Sequence, residues 1–201
     1  MTGIMTTERL RQVFPSARTD LAKVIVDYWA EAEAAGVNTP KRAGHFLAQL
    51  GPETGGMRRI EENMAYSPKR LRVVWPKRFP TLAVAKAYAY NPRKLANYVY
   101  GDRLGNRPGT DDGWQFRGSG MAQTTGRFNF TKAGFVDKPN VLRDSPLVAF
   151  RSALKFWQQI DAGSLADKGM ITALRKKWNG GTMGLAEAKA YLAAAQRAGF
   201  K

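Results

Sequence analysis

Residues 51–63 read GPETGGMRRIEEN, and this stretch decides how the chain folds around its acidic residues. Glu53 and Glu62 stand nine positions apart. On one straight helix, nine residues span about 13.5 Å and about two and a half turns, which puts the two carboxylates on opposite faces. Gly55 and Gly56 lie between them, and paired glycines end a helix and let the chain turn back. We therefore predict a helix that ends at the glycines, with Glu62 returning beyond the turn to face Glu53 across a cleft.

The residues before this stretch predict an amphipathic helix that carries Glu53 near its end. Glu53 continues the helical phase of Phe46 and Leu50, so it falls at the margin of the apolar face. A carboxyl group in such a position has its pKa raised by desolvation, as a general acid requires. Pro52 predicts that this helix kinks or ends near Gly51, because a proline inside a helix costs about 3 kcal/mol or more.

The pattern along the rest of the chain is mostly helical. Two helices are predicted to begin with a polar N-cap followed by proline, at Asn91 and at Ser145. The pattern predicts two further helices over residues 171–181 and 184–199. It predicts a loop over residues 101–120, and the best candidate for a short extended segment is residues 115–125. We therefore expect a mainly α fold with at most a small β element, formed as a single domain over residues 1–201.

Composition limits the chemistry that the chain supports. Its 201 residues include no cysteine and one histidine, His45, so disulfides and thiolate metal sites are excluded and we expect no metal or cofactor. No run of eighteen apolar residues and no secretory signal is visible, which predicts synthesis in a cytoplasm. The net charge of +16 predicts an anionic partner. Nucleic acid, anionic lipid and bacterial wall polymers all fit that charge.

Two carboxylates in different environments are the minimum apparatus for cleaving a glycosidic bond. The opposing interpretation is that Glu53 is a solvated helix-end charge, and that Glu61 and Glu62 form ion pairs with Arg58 and Arg59. The spacing by itself does not decide between these two interpretations.

Four sequence motifs, in order, favour the catalytic interpretation. They are PETGG with EENMAYSPKRL (52–56 and 61–71), ANYVYGDRLGN (96–106), DDGWQFRGSGMAQTTGRFNF (111–130) and WNGG (178–181). From about residue 43 to about residue 195 the chain resembles the phage endolysins related to glycoside hydrolase family 19 chitinases. The resemblance implies a mainly α, lysozyme-like bilobal fold and hydrolysis of β-1,4-linked aminosugar polymers with inversion.

The same resemblance assigns roles to residues. It implies that Glu53 is the general acid, that Glu62 is the general base and that Thr125 helps to hold the attacking water. Amides and aromatic rings suited to neutral sugars lie at positions that we expect to bind substrate: Gln123, Asn129, Asn179, Tyr66 and Tyr100.

Two departures from the family pattern are visible. Pro52 replaces the histidine that precedes the acid, and Ser119 replaces the second arginine of the usual Arg-Gly-Arg-Gly. The arginine that supports the acid in plant members has no evident counterpart in the sequence. His45 lies in mid-helix, where a structural role is expected.

These observations predict an endolysin that hydrolyses bacterial peptidoglycan and lyses the host cell. We expect a monomer, made in the host cytoplasm and acting on the wall or periplasm after release, with its basic surface drawn to the anionic bacterial envelope. Three competing functions stay open: a chitinase on GlcNAc polymers, a lytic transglycosylase with one catalytic glutamate, and a non-catalytic basic module that binds nucleic acid. Nucleic acid is not the expected partner, because the glutamates lie in the chain's most distinctive motif.

Overall fold

A computed structural model describes residues 3–201, and this part of the chain is mainly helical. The predicted mainly α fold is thus confirmed. The helices, α1 to α14 in chain order, are Thr7–Val13, Thr19–Asp27, Trp29–Ala34, Pro40–Thr54, Pro68–Val74, Leu82–Lys86, Pro92–Tyr100, Asp112–Gln115, Arg127–Ala133, Val141–Asp144, Pro146–Gln159, Ala162–Asp167, Ile171–Asn179 and Leu185–Arg197. None of them is long and apolar enough to cross a membrane.

The chain is divided into two compact units. The first unit contains the described residues up to Ile60, together with Gly120–Gln123 and Leu142–Lys201. The second unit contains Glu61–Ser119 and Thr124–Val141. Each unit has its own cluster of buried apolar side chains.

The first unit is built around helix α4. Phe46 on this helix is fully buried, and four aromatic rings pack around it: Trp29, Phe150, Trp157 and Trp178. Helix α14 packs along α4, where the Tyr191 ring occupies the space that a side chain at Gly51 would need. Close packing of this kind fixes the position of the last turn of α4.

Of the two outcomes predicted at Pro52, a kink or a helix end near Gly51, the end is wrong, because the helix runs through Pro52 to Thr54. Pro52 falls in the last turn, so the hydrogen bond that its missing N–H removes is close to the helix end. The helix ends where the glycine pair predicts: Gly55 is the C-cap, with φ of +60°, and its N–H donates to the carbonyl of Gly51. Gly56 also has a positive φ and completes the turn.

The second unit packs helices α5, α6 and α7 around a smaller core. Leu71, Phe79, Leu95 and Val99 are fully buried there. Helix α7 begins at the predicted cap, since the side chain of Asn91 accepts a hydrogen bond from an N–H of its first turn. The segment predicted as a loop over residues 101–120 contains the short helix α8.

The short extended element predicted over residues 115–125 is reduced to two isolated bridge positions, Ser119 and Thr124, with a turn between them. Two antiparallel bridges pair Glu61 with Ser119 and Ser119 with Thr124. Ser119 is fully buried, and its hydroxyl donates to the carbonyl of Arg117. This enclosed position suits the small side chain of serine.

Candidate active site

Glu53 lies in the last turn of α4, where its side chain keeps only 13% exposure. Burial raises the pKa of Glu53, because a carboxylate loses its water of hydration there. The sequence placed Glu53 at the margin of the apolar face, and the structure agrees with that position. A carboxyl group in this state holds its proton toward higher pH than an exposed glutamate does.

Arg175 on helix α13 is the charged partner of Glu53. Its Nη1 lies 2.8 Å from Oε1 of Glu53, and its own side chain is 2% exposed. The N–H is poorly aligned for a hydrogen bond, so the contact is chiefly an ion pair. The positive charge of Arg175 opposes the effect of burial on the pKa of Glu53, and burial is the stronger of the two.

Sequence reasoning missed Arg175. A signal was present, because Arg175 stands one helical turn before Asn179, so both side chains share a face of α13. Both donate to the carbonyl of Met183, Arg175 through Nε at 2.7 Å and Asn179 through Nδ2 at 3.3 Å. The carbonyl of Met183 therefore connects Asn179 of the WNGG motif with the arginine that lies beside Glu53.

Glu62 is held on both carboxylate oxygens within the second unit. Its Oε1 accepts a hydrogen bond from the hydroxyl of Tyr100 at 2.7 Å, and its Oε2 accepts one from the backbone N–H of Gly118 at 3.1 Å. The backbone N–H of Glu62 donates in turn to the carbonyl of Gly118 at 2.8 Å. Two donors directed at one carboxylate favour its charged form and fix its orientation.

Tyr100 acts on Glu62 through its hydroxyl. Burial, and then the neighbouring charge of Glu62, raise the pKa of Tyr100, so the phenol stays protonated and remains a donor. Its ring packs against the core of the second unit. Tyr66, the second aromatic residue predicted to stack on sugars, packs edge-on against Trp75 with 5.2 Å between ring centroids.

Glu61 is oriented toward a different partner from Glu62. Arg117 donates from Nε to Oε1 of Glu61 at 2.8 Å, and its guanidinium lies 3.6 Å from the centre of the Trp114 ring. The interpretation in which Glu61 pairs with Arg58 or Arg59 is therefore wrong. Nε of Arg58 donates to the carbonyl of Gly55 instead.

The three remaining predicted polar residues lie close to the extended element or just after it. Gln123 has a positive φ of 51°, and its side-chain amide donates to the carbonyl of Gly120 at 3.1 Å. Asn129 donates from Nδ2 to the carbonyl of Thr125 at 2.8 Å, which joins these two positions within the second unit.

The eight predicted site residues are distributed over both units. The first unit holds Glu53, Gln123 and Asn179, and the second holds Glu62, Tyr66, Tyr100, Thr125 and Asn129. Their assignment to catalysis and substrate binding stays a prediction. Residues 3–201 contain no cluster of three or more side chains of the kinds that bind metal ions.

The chain is similar to known proteins in sequence and in fold. No family model matches the chain. A glycosyl hydrolase family 19 domain-containing protein of Haemophilus influenzae is 31% identical over 192 residues, which cover 93% of each chain.

Solved structures show the same fold. Chitinase C from Streptomyces griseus superposes with a TM-score of 0.64 at 17% identity, over 98% of this chain and 77% of that one. A glutamate-to-glutamine mutant of chitinase C gives a TM-score of 0.62 at 16% identity, over 98% and 93% of the two chains. The chain therefore belongs to glycoside hydrolase family 19, and it is a glycoside hydrolase of the chitinase-like and lysozyme-like kind.

Proposed function

We propose that this family 19 enzyme is an endolysin that hydrolyses the β-1,4 glycosidic bonds of bacterial peptidoglycan. One observation carries the chemistry: the two glutamates have contrasting environments. Glu53 is buried and has a raised pKa, whereas Glu62 accepts two hydrogen bonds that favour its ionised form. Two carboxyl groups whose environments push their pKa values apart supply an acid and a base at the same pH.

The proposed mechanism assigns one proton transfer to each glutamate. Glu53 donates its proton to the oxygen of the leaving sugar as the glycosidic bond breaks. Glu62 removes a proton from a water that attacks the anomeric carbon from the opposite face, and Thr125 helps to hold this water. The product then has inverted configuration, as in glycosidases whose two carboxyl groups leave room for a water between them.

Charge favours peptidoglycan over chitin as the substrate. The chain has 32 lysines and arginines against 16 acidic residues. Chitin is a neutral polymer, whereas the peptides of peptidoglycan carry carboxylates, so a basic enzyme is drawn to the second polymer and binds it faster. The fold of the solved relatives favours the chitinase hypothesis. Both polymers should therefore be tested in the same assay.

The nucleic-acid and transglycosylase hypotheses are less well supported. A non-catalytic module that binds nucleic acid disagrees with membership in a hydrolase family. A lytic transglycosylase needs one catalytic glutamate and leaves Glu62 without a chemical role. Its product is an anhydro-sugar, which is one water lighter than the product of hydrolysis.

Mass spectrometry of the released fragments tests the proposal. Purified peptidoglycan and a chitin hexasaccharide are each incubated with the enzyme, with its Glu62→Gln variant and with no enzyme. We expect muropeptides with hydrated reducing ends, faster cleavage of peptidoglycan than of chitin, and a severe loss with Glu62→Gln. Anhydro-products, or a clear preference for chitin, would contradict the assignment. Proton NMR of a soluble substrate should show the α-anomer forming first.

The proposed biological role is release of phage progeny from a bacterial host. In this role a monomeric enzyme accumulates in the host cytoplasm and reaches the wall after a membrane lesion opens. Expression in a Gram-negative bacterium tests the idea: we expect rapid lysis when the membrane is permeabilised and slow lysis before that. Equal lysis in both conditions would show that the enzyme crosses the membrane by another route.

A further inference from the structure

Residues 63–101 of the second unit contain eight lysines and arginines and no acidic residue. This segment forms helices α5, α6 and α7. The absence of acid over thirty-nine positions is notable, because the chain as a whole has one acidic residue for every two basic ones. The positive charge of the segment is therefore not balanced from within it.

Few of these eight cations are neutralised by the rest of the described chain. Arg78 pairs with Asp102 at 2.9 Å, Arg93 pairs with Asp111 at 2.8 Å, and Lys94 donates to the carbonyl of Ala87. The remaining five are exposed and have no carboxylate partner within residues 3–201: Lys69, Arg70, Arg72, Lys77 and Lys86. All five lie on α5, on α6 or on the loop between them.

Two of these free cations line a groove together with apolar side chains. Lys69 and Arg72 flank an open groove of about 340 Å³, and its remaining walls are Val73, Pro76, Phe79 and Pro80. The side chain of Val73 is 69% exposed. The groove thus combines positive charge with an apolar lining.

Helix α6, which packs against α5, carries two further exposed apolar side chains. Leu82 is 39% exposed and Val84 is 37% exposed. With Val73, these residues give the surface formed by Pro68–Lys86 three large exposed aliphatic side chains and five unpaired cations. We call this the α5–α6 surface.

We propose that the α5–α6 surface docks the enzyme on an anionic lipid bilayer. Lysine and arginine bind lipid phosphates, while aliphatic side chains enter the boundary between headgroups and acyl chains. Wall polymers and nucleic acids match the charge of the surface but offer no apolar layer for Val73 and the other apolar walls of the groove. The observed mixture of charge and exposed apolar area therefore favours lipid.

This docking does not depend on the proposed hydrolysis. The α5–α6 surface contains none of the predicted site residues, and adsorption to a bilayer requires no bond cleavage. Binding and catalysis can consequently fail or succeed independently, and each has its own measurement.

Co-sedimentation with lipid vesicles tests the proposal. We expect the protein to bind vesicles of phosphatidylglycerol mixed with phosphatidylcholine at low salt, and not to bind vesicles of phosphatidylcholine alone. Lys69→Gln combined with Arg72→Gln should weaken binding about 30-fold, since each cation near the membrane surface contributes about fivefold. The matched control, Lys132→Gln with Lys138→Gln, removes two exposed cations elsewhere in the second unit and should have less than a threefold effect.

A charge-neutral variant separates lipid from polymeric anions. Val73→Ser should weaken vesicle binding about fivefold, which corresponds to withdrawing about 40 Å² of apolar surface. Equal losses for the groove and control double variants would overturn the proposal, as would an absence of binding to anionic vesicles. If wild type did not bind vesicles and the groove double variant lost binding to purified peptidoglycan or to DNA, the surface would be a binding site for that polymer instead.

Discussion

Replacing Glu53 with glutamine distinguishes the contribution of its carboxyl group to catalysis from its contribution to stability. The amide has nearly the volume of the carboxyl group but has no acidic proton to give to the leaving oxygen. Removal of a general acid lowers the rate about 10²–10⁴-fold. That range corresponds to about 2.7–5.5 kcal/mol in the activation free energy. We expect a loss of this size in the rate of glycan cleavage.

The fold should tolerate this change because of Arg175. The amide oxygen of glutamine keeps a polar atom beside the same guanidinium, which now lies 2.8 Å from Oε1 of Glu53. Glu53→Ala removes that partner and leaves a cation with 2% exposure unpaired, which costs about 3–5 kcal/mol of unfolding free energy. The glutamine variant should therefore lose activity with little loss of stability, and the alanine variant should lose both.

The raised pKa of Glu53 also predicts how stability depends on pH. A carboxyl group whose pKa is higher in the folded state contributes stability below its unfolded pKa, about 4.3, and loses that contribution as pH rises through the folded value. The Glu53→Gln variant has no such group. Its unfolding free energy should consequently fall less than that of wild type between about pH 4 and neutral pH.

Initial rates on peptidoglycan fragments and urea unfolding at several pH values measure these effects. Glu33→Gln is the control, because Glu33 forms none of the ion pairs seen in residues 3–201 and lies at the end of the short helix α3. We expect wild-type activity from it. A Glu53→Gln variant that keeps activity within tenfold of wild type, at unchanged stability, would refute the catalytic assignment.

Four further substitutions test the surroundings of the two carboxyl groups. Tyr100→Phe should slow cleavage about 10–100-fold, because the candidate base loses a hydrogen bond to a charged group; unchanged initial rates would show that the hydroxyl is dispensable. Glu61→Gln should leave the rate within threefold, because this carboxylate is bound to Arg117, and should lower the free energy of unfolding in urea by about 1 kcal/mol or less. Thr125→Val should reduce kcat at an unchanged melting temperature, and an unchanged kcat would mean that the water is held elsewhere. Arg175→Met removes the charge that opposes burial, so the pKa of the candidate acid should rise and the alkaline limb of the pH–rate profile should move to higher pH.

The helical part of the fold could be predicted from the sequence because its signals are local. Asn91 and Ser145 stand immediately before a proline, and each accepts a hydrogen bond from the first turn of its helix. The signal for the end of α4 was also local, since Gly55 adopts the left-handed conformation that glycine tolerates best. The helix end expected near Gly51 does not occur, because the cost of a proline depends on its distance from the helix end.

The partners of the glutamates were harder to predict because they come from distant parts of the chain. Arg175 is 122 positions from Glu53, and Tyr100 is 38 positions from Glu62. No local pattern specifies such pairs, and only packing of α13 near α4 brings the arginine to the acid. The sequence suggested both glutamates from spacing and motif, but the groups that set their protonation emerged only from the structure.

The choice of Glu62 over its neighbour Glu61 rests on the geometry of an extended chain. Successive side chains of an extended segment point to opposite sides, so two adjacent glutamates cannot share one site. The bridge between Glu61 and Ser119 fixes the register, and the Gly118 N–H then reaches the carboxylate of Glu62. A slip of one residue would exchange the two carboxylates, giving the tyrosine hydroxyl to Glu61 and the buried arginine to Glu62. Because the arginine would then hold the candidate base in an ion pair, the register of this short pairing decides which glutamate is available to activate water.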